Sequence, residues 1–137
     1  MDYFNAVLLV DDDDATNFYH EIVLEEWGKA KKVYVAVNGK FAIDFLKEHD
    51  SFRYERPSLI LLDINMPVMD GFEFLEAYRT LDEELKASFV VVMLTTSLHP
   101  NDQNRAHNFN ELRGYINKPL STEQLDAILQ QAQSLIK

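Results

Sequence analysis

The sequence predicts an α/β fold, a doubly wound sheet of five parallel strands covered by five helices. Short apolar runs alternate with segments whose apolar residues recur at helical spacing, which is typical of parallel sheets with right-handed crossovers. Several runs are continuously apolar, and this indicates strands buried on both faces. The length of 137 residues and the 47% hydrophobic content suit one domain with its own core. We therefore expect a single domain over residues 1–137, without an output domain.

The first half of the chain contains two predicted strand and helix pairs. Residues 6–10 predict the first strand. Residues 16–27 predict a helix that ends at Gly28, a residue type that often ends helices. Its apolar residues at helical spacing are Phe18, Ile22, Val23 and Trp27. Residues 33–37 are rich in β-branched residues and predict the second strand, followed by a short helix over residues 41–46. The basic cluster at residues 29–32 is expected at the C-terminal end of the first helix.

The second half continues the alternation. Residues 59–62 predict the third strand, which runs into Asp63, and residues 64–70 a loop. Asp70 and Glu73 form the pattern of a capping box that opens a helix through residue 78. Residues 89–94 predict the fourth strand, 100–109 a polar helix, and 114–117 the fifth strand. Residues 121–136 predict the last helix, with Ser121 and Gln124 at its cap.

Composition excludes several classes of function. The formal charge of −10, with 13 scattered basic residues, argues against a nucleic-acid partner. We find no apolar run that approaches the ~18 residues of a membrane span, and the first residues lack a secretory pattern, so a cytoplasmic protein without a membrane partner is expected. The absence of cysteine excludes disulfides, thiolate metal sites and a cysteine nucleophile.

Reactive polar residues stand directly after the apolar runs. Asp11 and Asp12 follow the first run, Asp63 the third, Thr95 the fourth and Lys118 the fifth. In sheets of this kind, ligands bind outside the carboxyl ends of the strands, where the strand order reverses. The sequence therefore predicts one polar site that combines these side chains.

Three converging carboxylates require a positive partner. At ~4 Å and an effective dielectric of ~20, each pair repels by roughly 4 kcal/mol. Hard oxygen ligands favour Mg²⁺ or Mn²⁺ over zinc. A divalent cation together with Lys118 would neutralise the aspartates and leave a site able to accept a phosphoryl group. Asp63 is then the candidate nucleophile, because carboxylates form acyl phosphates, and Thr95 is a candidate hydroxyl donor.

These residues resemble the receiver domain of two-component response regulators over essentially the whole chain. The resemblance is carried by residues 8–12 (LLVDD), 61–71 (LLDINMPVMDG), 93–95 (MLT) and 118–120 (KPL). It implies a flavodoxin-like fold with the strand order 2-1-3-4-5. It also implies a cis peptide bond before Pro119.

The resemblance assigns roles to individual residues. It makes Asp63 the phosphorylation site and Asp12 the main Mg²⁺ ligand, with Asp11 assisting and the backbone carbonyl of Asn65 completing the protein's share of the metal shell; Mn²⁺ may substitute. Lys118 would pair with the acyl phosphate. Asp13 and Asp14 extend the acidic run, which leaves the ligand assignment open by one position.

The resemblance also implies how the domain signals. Thr95 and Tyr115 match the switch pair, in which the hydroxyl moves toward the phosphoryl group and the ring turns inward behind it. The donor would be a sensor histidine kinase or a histidine phosphotransfer protein, and the output a downstream protein target. The chain would be a single-turnover phosphoacceptor that assists its own phosphorylation and dephosphorylation, not an enzyme. The polar residues 99–113 depart from the family pattern, with Glu111 to Arg113 in place of small residues.

Two other functions fit parts of the sequence. Asp12 to Thr16 match the D-x-D-x-T pattern of haloacid dehalogenase-type aspartyl-phosphate phosphatases, but only Glu123 and Asp126 follow the lysine as a further acidic motif. A pseudo-receiver would keep the fold as an interaction module without phosphotransfer. The four histidines, His20, His49, His99 and His107, share no metal-like spacing and are expected to be surface or packing residues.

Overall fold

The computed structural model describes residues 3–48, 56–88, 90–95 and 100–136. Strands and helices alternate along these residues: β1 (Phe4–Val10), α1 (Asp14–Trp27), β2 (Ala30–Ala36), α2 (Gly39–Lys47), β3 (Leu59–Asp63), α3 (Gly71–Arg79), β4 (Val90–Thr95), α4 (Pro100–Ala106), β5 (Leu112–Asn117) and α5 (Thr122–Ile136). A 3₁₀ turn, Glu83–Leu85, follows α3. All strand pairs are parallel, in the order β2-β1-β3-β4-β5, which confirms the predicted fold class and strand order.

The sheet separates two hydrophobic cores. Alternate residues of β1 point to opposite sides, so Leu8 and Val10 belong to one core while Val7 and Leu9 belong to the other. Helices α2, α3 and α4 cover the first core, and α1 and α5 cover the second. Burial on both sides explains why the β1 and β3 sequences are continuously apolar.

Helix α1 begins earlier than predicted, and its buried face differs in part from the predicted one. Asp13 is its N-cap, and Gly28 ends it in the left-handed region at φ 75°. Phe18 and Ile22, which the helical spacing marked as apolar contacts, are exposed at 67% and 38%. Val23 and Trp27 are buried as predicted. The rest of the buried face consists of Asn17, His20 and Leu24.

Other boundaries also differ from the prediction. Lys31 and Lys32 lie within β2 rather than at the end of α1, so the prediction for this basic cluster was wrong. Helix α4 ends at Ala106, three residues before Phe109, and Phe109 packs into the core from the following loop. That loop is held by Arg79 of α3, whose Nη2 donates to the carbonyl of Asn108 at 2.8 Å and whose Nε lies 3.1 Å from Glu111 Oε1.

The predicted caps and the predicted cis bond are confirmed. Asp70 and Glu73 form a reciprocal capping box at the start of α3. Ser121 and Gln124 exchange the same two hydrogen bonds before α5. The Lys118–Pro119 peptide is cis. Of the helices in the described ranges, none has the length and apolarity that a membrane crossing requires.

Candidate functional site

Three carboxylates meet at the carboxyl edge of the sheet. Asp11 and Asp12 follow β1, and Asp63 ends the neighbouring β3. One oxygen from each lies within 4.8 Å of the others. Asp11 and Asp63 are buried, whereas Asp12 is exposed at the mouth of the cluster. The parallel pairing of β1 with β3 thus brings together residues more than fifty positions apart in the sequence.

Lys118 supplies the positive charge of the cluster. It directly follows β5, and its Nζ lies 2.7 Å from Asp11 Oδ2 and 3.4 Å from Asp63 Oδ1. The lysine therefore donates a strong charge-assisted hydrogen bond to Asp11 and forms a longer ion pair with Asp63. Three negative charges and one positive charge leave a net negative charge, which a divalent cation would neutralise.

Asp11 is the most constrained member of the cluster. Its backbone N–H donates to the carbonyl of Ala36 at 3.1 Å. Its Oδ1 accepts from the backbone N–H of Asp13 at 3.0 Å, and its carbonyl accepts from Nδ2 of Asn17 at 2.9 Å. With Lys118 on Oδ2, both carboxylate oxygens and both backbone groups of Asp11 have a partner.

The electrostatics of the cluster appear in two pKa shifts. Burial, followed by the negative charge of Asp11, raises the pKa of Asp63 to about 6, although Lys118 partly opposes the shift. For Lys118, burial acts to lower the pKa, but the hydrogen bond to Asp11 and the charges of Asp63 and Asp11 outweigh burial and raise it. At neutral pH the site therefore contains a cationic lysine and a largely ionised Asp63.

The remaining acids of the run point elsewhere. Asp13 accepts hydrogen bonds from the side chain and the backbone N–H of Thr16, which lower its pKa, and so serves as the cap of α1. Asp14 lies exposed in the first turn of α1. Within the described part of the chain, the grouped acids are Asp11, Asp12 and Asp63. Of the four consecutive acids, Asp11 and Asp12 are therefore the two that lie next to Asp63.

The loop from β3 to α3 closes tightly behind Asp63. A Cβ on Gly71 would lie 2.6 Å from the Asp63 carbonyl oxygen, so only glycine fits at this position. The Gly71 N–H donates to the Ile64 carbonyl at 2.8 Å. Asn65, predicted to offer its carbonyl to a metal, is exposed in this loop two residues after Asp63.

The predicted switch residues lie on neighbouring strands. Thr95 is the last residue of β4 and pairs with Asn117 of β5, next to Lys118, while its side chain belongs to the part that the structure does not describe. Tyr115 of β5 is 37% exposed, and its hydroxyl lies 3.3 Å from Nε2 of His107. The ring therefore points outward in this structure.

Sequence reasoning missed two residues beside the site, Asn17 and His20. Both are buried, and Asn17 contacts Asp11 directly. Their positions form a stripe with Leu24 and Trp27 at spacings of three and four. The sequence predicts this stripe only if Asn17 and His20 count as candidates for the buried face of α1 on equal terms with Phe18 and Ile22.

The donor set fits a hard divalent cation. It consists of carboxylate oxygens, which Mg²⁺ and Mn²⁺ prefer, and neither His nor Cys belongs to the group that the described residues form. Asp12 is exposed, so an ion can reach the cluster from solvent.

Comparisons with known proteins agree on one family. A family profile described as "Response regulator receiver domain" matches residues 7–130. The probable methanogenesis regulatory protein FilR2 of Methanothrix harundinacea is 35% identical over 87% of this chain and 75% of its own length. Response regulator Rre1 of Synechocystis is 31% identical over 90% of this chain but only 49% of its own length. The crystal structure of a two-component response regulator from Cytophaga hutchinsonii superposes with a TM-score of 0.85 at 29% identity, covering 96% of this chain and 98% of that one.

Proposed function

This chain belongs to the family of response regulator receiver domains, and from that membership we propose that Asp63 accepts a phosphoryl group from a phosphohistidine of a partner protein. The observation that carries the proposal is the geometry around Lys118. Its ammonium lies within reach of Asp63 but donates its short hydrogen bond to Asp11. An Asp63 oxygen thus remains available for bond formation.

The transfer is a displacement at phosphorus. An Asp63 carboxylate oxygen forms the new P–O bond while the P–N bond to the donor imidazole breaks, and the imidazole leaves with the electron pair and takes up a proton. The reaction needs ionised Asp63, which its pKa of about 6 supplies at neutral pH. Lys118 then pairs with a phosphoryl oxygen, and Thr95 donates its hydroxyl to another.

The acidic cluster would hold a Mg²⁺ ion, for which Mn²⁺ could substitute. Asp12 would be its main ligand, Asp63 and Asp11 would contribute carboxylate oxygens, and Asn65 would contribute its carbonyl. When bound, the ion withdraws negative charge from the phosphoryl oxygens. The proximity of the three carboxylates supports this assignment.

The domain acts once per phosphoryl group rather than as a turnover enzyme. Asn65 stands two residues after the nucleophile, where a phosphatase would place an acid to activate water. The donor is a sensor histidine kinase or a histidine phosphotransfer protein. The output is a protein–protein contact, since a net charge of −10 opposes binding to nucleic acid.

The phosphatase alternative has little support in the geometry. Asp14, the second acid of the D-x-D-x-T pattern, lies in the first turn of α1 and does not join the acidic cluster. Asp126, a candidate for the additional acid, instead accepts hydrogen bonds from Trp27 Nε1 at 2.8 Å and Lys29 Nζ at 3.2 Å. The pseudo-receiver alternative predicts no acyl phosphate and is answered by the same experiment as the main proposal.

Incubation with acetyl phosphate and Mg²⁺, followed by intact-mass spectrometry, tests the function. We expect one phosphoryl group on the wild-type protein, none on Asp63→Asn, and one on the control Asp44→Asn, which removes an exposed acid of α2. Chelation of the metal should abolish labelling. An Asp63→Asn variant that is still labelled would refute the assignment. An unlabelled wild type that rapidly releases phosphate would favour the phosphatase, and one that neither binds nor releases phosphate would favour the pseudo-receiver.

A further inference from the structure

Helix α1 buries two polar side chains beside the acidic cluster. Asn17 is 4% exposed and His20 is 1% exposed, and they lie three positions apart on the same face of the helix. Buried polar groups are normally hydrogen-bonded, because each unsatisfied group costs about 1–3 kcal/mol. These two positions would accept apolar residues if packing alone mattered. Two polar side chains at these buried positions therefore indicate a role beyond packing.

The Asn17 amide has a defined orientation. Its Nδ2 donates to the Asp11 carbonyl at 2.9 Å, and this fixes Oδ1 as the outward acceptor of the amide. Within the described residues, Oδ1 of Asn17 and Nδ1 of His20 are the buried side-chain atoms without a hydrogen-bond partner. One is an acceptor and the other can be a donor. They do not bond to each other directly in this structure, so one water between them can satisfy both.

The charge state of His20 suits this pairing. Burial, reinforced by the positive charge of Lys118 and opposed by Asp11, lowers the pKa of His20. A neutral imidazole carries a single N–H, and the partner that each nitrogen faces decides which one holds the hydrogen. An acceptor beside Nδ1 favours the tautomer with hydrogen on that nitrogen.

We propose that Asn17 and His20 are positioning residues of the phosphoacceptor site: His20 orients the Asn17 amide through a water that its Nδ1–H binds, and Asn17 fixes the main chain of Asp11. Asp11 in turn presents its carboxylate to Lys118 at 2.7 Å and to the Asp13 N–H at 3.0 Å. Neither residue touches the phosphoryl group, and both act through Asp11. The effect on phosphorylation rests on the proposed function, whereas the hydrogen bonds themselves do not.

The first test reads the hydrogen bonds without any reaction. Long-range ¹H–¹⁵N correlation spectra of the histidine rings, with His20 assigned by its loss in His20→Asn, should show a neutral ring protonated at Nδ1. The backbone amide proton of Asp13 reports on the Asp11 carboxylate. It should shift in Asn17→Leu and His20→Gln and stay in place in Asn5→Leu, the same substitution at an exposed position of β1. A ring protonated at Nε2, or an unmoved Asp13 amide in both variants, would overturn the proposal.

The second test compares two amide replacements of His20. Asparagine places its NH₂ near the position of Nδ1, whereas glutamine reaches the position of Nε2, and the two are alike in polarity. The rate of phosphorylation by acetyl phosphate should be close to wild type in His20→Asn. It should fall about 10- to 100-fold in His20→Gln and in Asn17→Leu, as expected for a misplaced reactive group.

Melting temperatures and Mg²⁺ titrations on the same proteins separate misfolding from misplacement. A folded His20→Gln with the wild-type rate, or equal rates in His20→Asn and His20→Gln, would contradict a positioning role. If no variant and no wild type is phosphorylated, the proposed function fails, while the tautomer and the Asp13 amide still decide the hydrogen-bond assignment.

Discussion

Lys118 Nζ lies 2.7 Å from Asp11 Oδ2 and 3.4 Å from Asp63 Oδ1, so the lysine compensates the charge of Asp11 more fully than that of Asp63. The buried Asp63 therefore keeps a pKa of about 6. An aspartate that titrates higher in the folded state than in the unfolded state makes stability depend on pH.

The first prediction concerns this dependence in metal-free protein. Between about pH 4 and pH 6, the unfolded state has already lost the Asp63 proton that the folded state retains, so stability falls as pH rises through this window. The loss is complete above pH 6 and amounts to at most about 3 kcal/mol, less the part that solvent screens. Urea denaturation of wild type and Asp63→Asn across this pH range measures the loss as the difference between their free energies of unfolding.

Asp63→Asn should remove this decline and be more stable than wild type at pH 7.5 without metal. Saturating Mg²⁺ should stabilise wild type and have little effect on the variant, because the ion favours the ionised carboxylate. Parallel pH profiles for the two proteins would contradict the raised pKa.

The second prediction separates the acids of the run. Asp12→Ala should remove most Mg²⁺ affinity while leaving the fold intact. Because the substitution relieves repulsion within the cluster, the metal-free variant should be at least as stable as wild type. Asp13→Ala should keep Mg²⁺ affinity and unfold at a lower urea concentration than wild type, because Asp13 caps α1 through Thr16. Isothermal titration with Mg²⁺ and urea denaturation distinguish them. A larger loss of Mg²⁺ affinity in Asp13→Ala would show that the metal register is shifted by one.

The strands and the acidic cluster could be predicted from sequence for one physical reason. Strands buried on both faces must be continuously apolar, so an abrupt change to Asp11 or Asp63 marks the carboxyl edge of the sheet. Parallel pairing then brings these ends together without any further information. The same reasoning placed Lys118 beside them, although the preference of its ammonium for Asp11 depends on distances that sequence does not contain.

The faces of the helices were harder to predict. In α1, Asn17 and His20 are buried while Phe18 is exposed. The hydrogen-bond partner of Asn17 is the carbonyl of Asp11, which lies outside the helix, so the helix sequence alone does not show which face is buried. The end of α4 follows a similar rule. Arg79 of α3 binds the Asn108 carbonyl and Glu111. This contact between distant parts of the sequence stabilises a loop where the sequence predicted further helix.

The third prediction concerns the loop after Asp63. Val68 has φ 70°, and the Met69 N–H donates to the Pro67 carbonyl at 2.7 Å, which forms a three-residue γ-turn. A β-branched residue in this region carries about 1–2 kcal/mol of strain, and Val68 is 75% exposed, so its side chain gains little from burial. Val68→Asn should therefore raise the free energy of unfolding by about 1 kcal/mol, measured by urea denaturation.

Val68→Ala keeps a Cβ at the strained position and should gain less than Val68→Asn. Val35→Asn makes the same change at an exposed position of the edge strand β2 and should not stabilise. Equal effects of the asparagine substitution at both positions would show that the backbone of Val68 is not the cause.

The last prediction concerns the hydroxyl of Tyr115, which lies 3.3 Å from Nε2 of His107 on the outer side of β5. If Tyr115 is the switch residue, its inward turn must break this contact, so the contact favours the unphosphorylated state. An exposed hydrogen bond of about 0.5–1 kcal/mol corresponds to a population shift of about two- to fivefold. His107→Ala should raise the apparent affinity for beryllofluoride, a phosphoryl mimic, by that factor at saturating Mg²⁺. Tyr115→Phe removes the same hydrogen bond from the other side, so adding His107→Ala to it should change the affinity no further. Additive effects of the two substitutions would mean that His107 acts on the site by some route other than the Tyr115 hydroxyl.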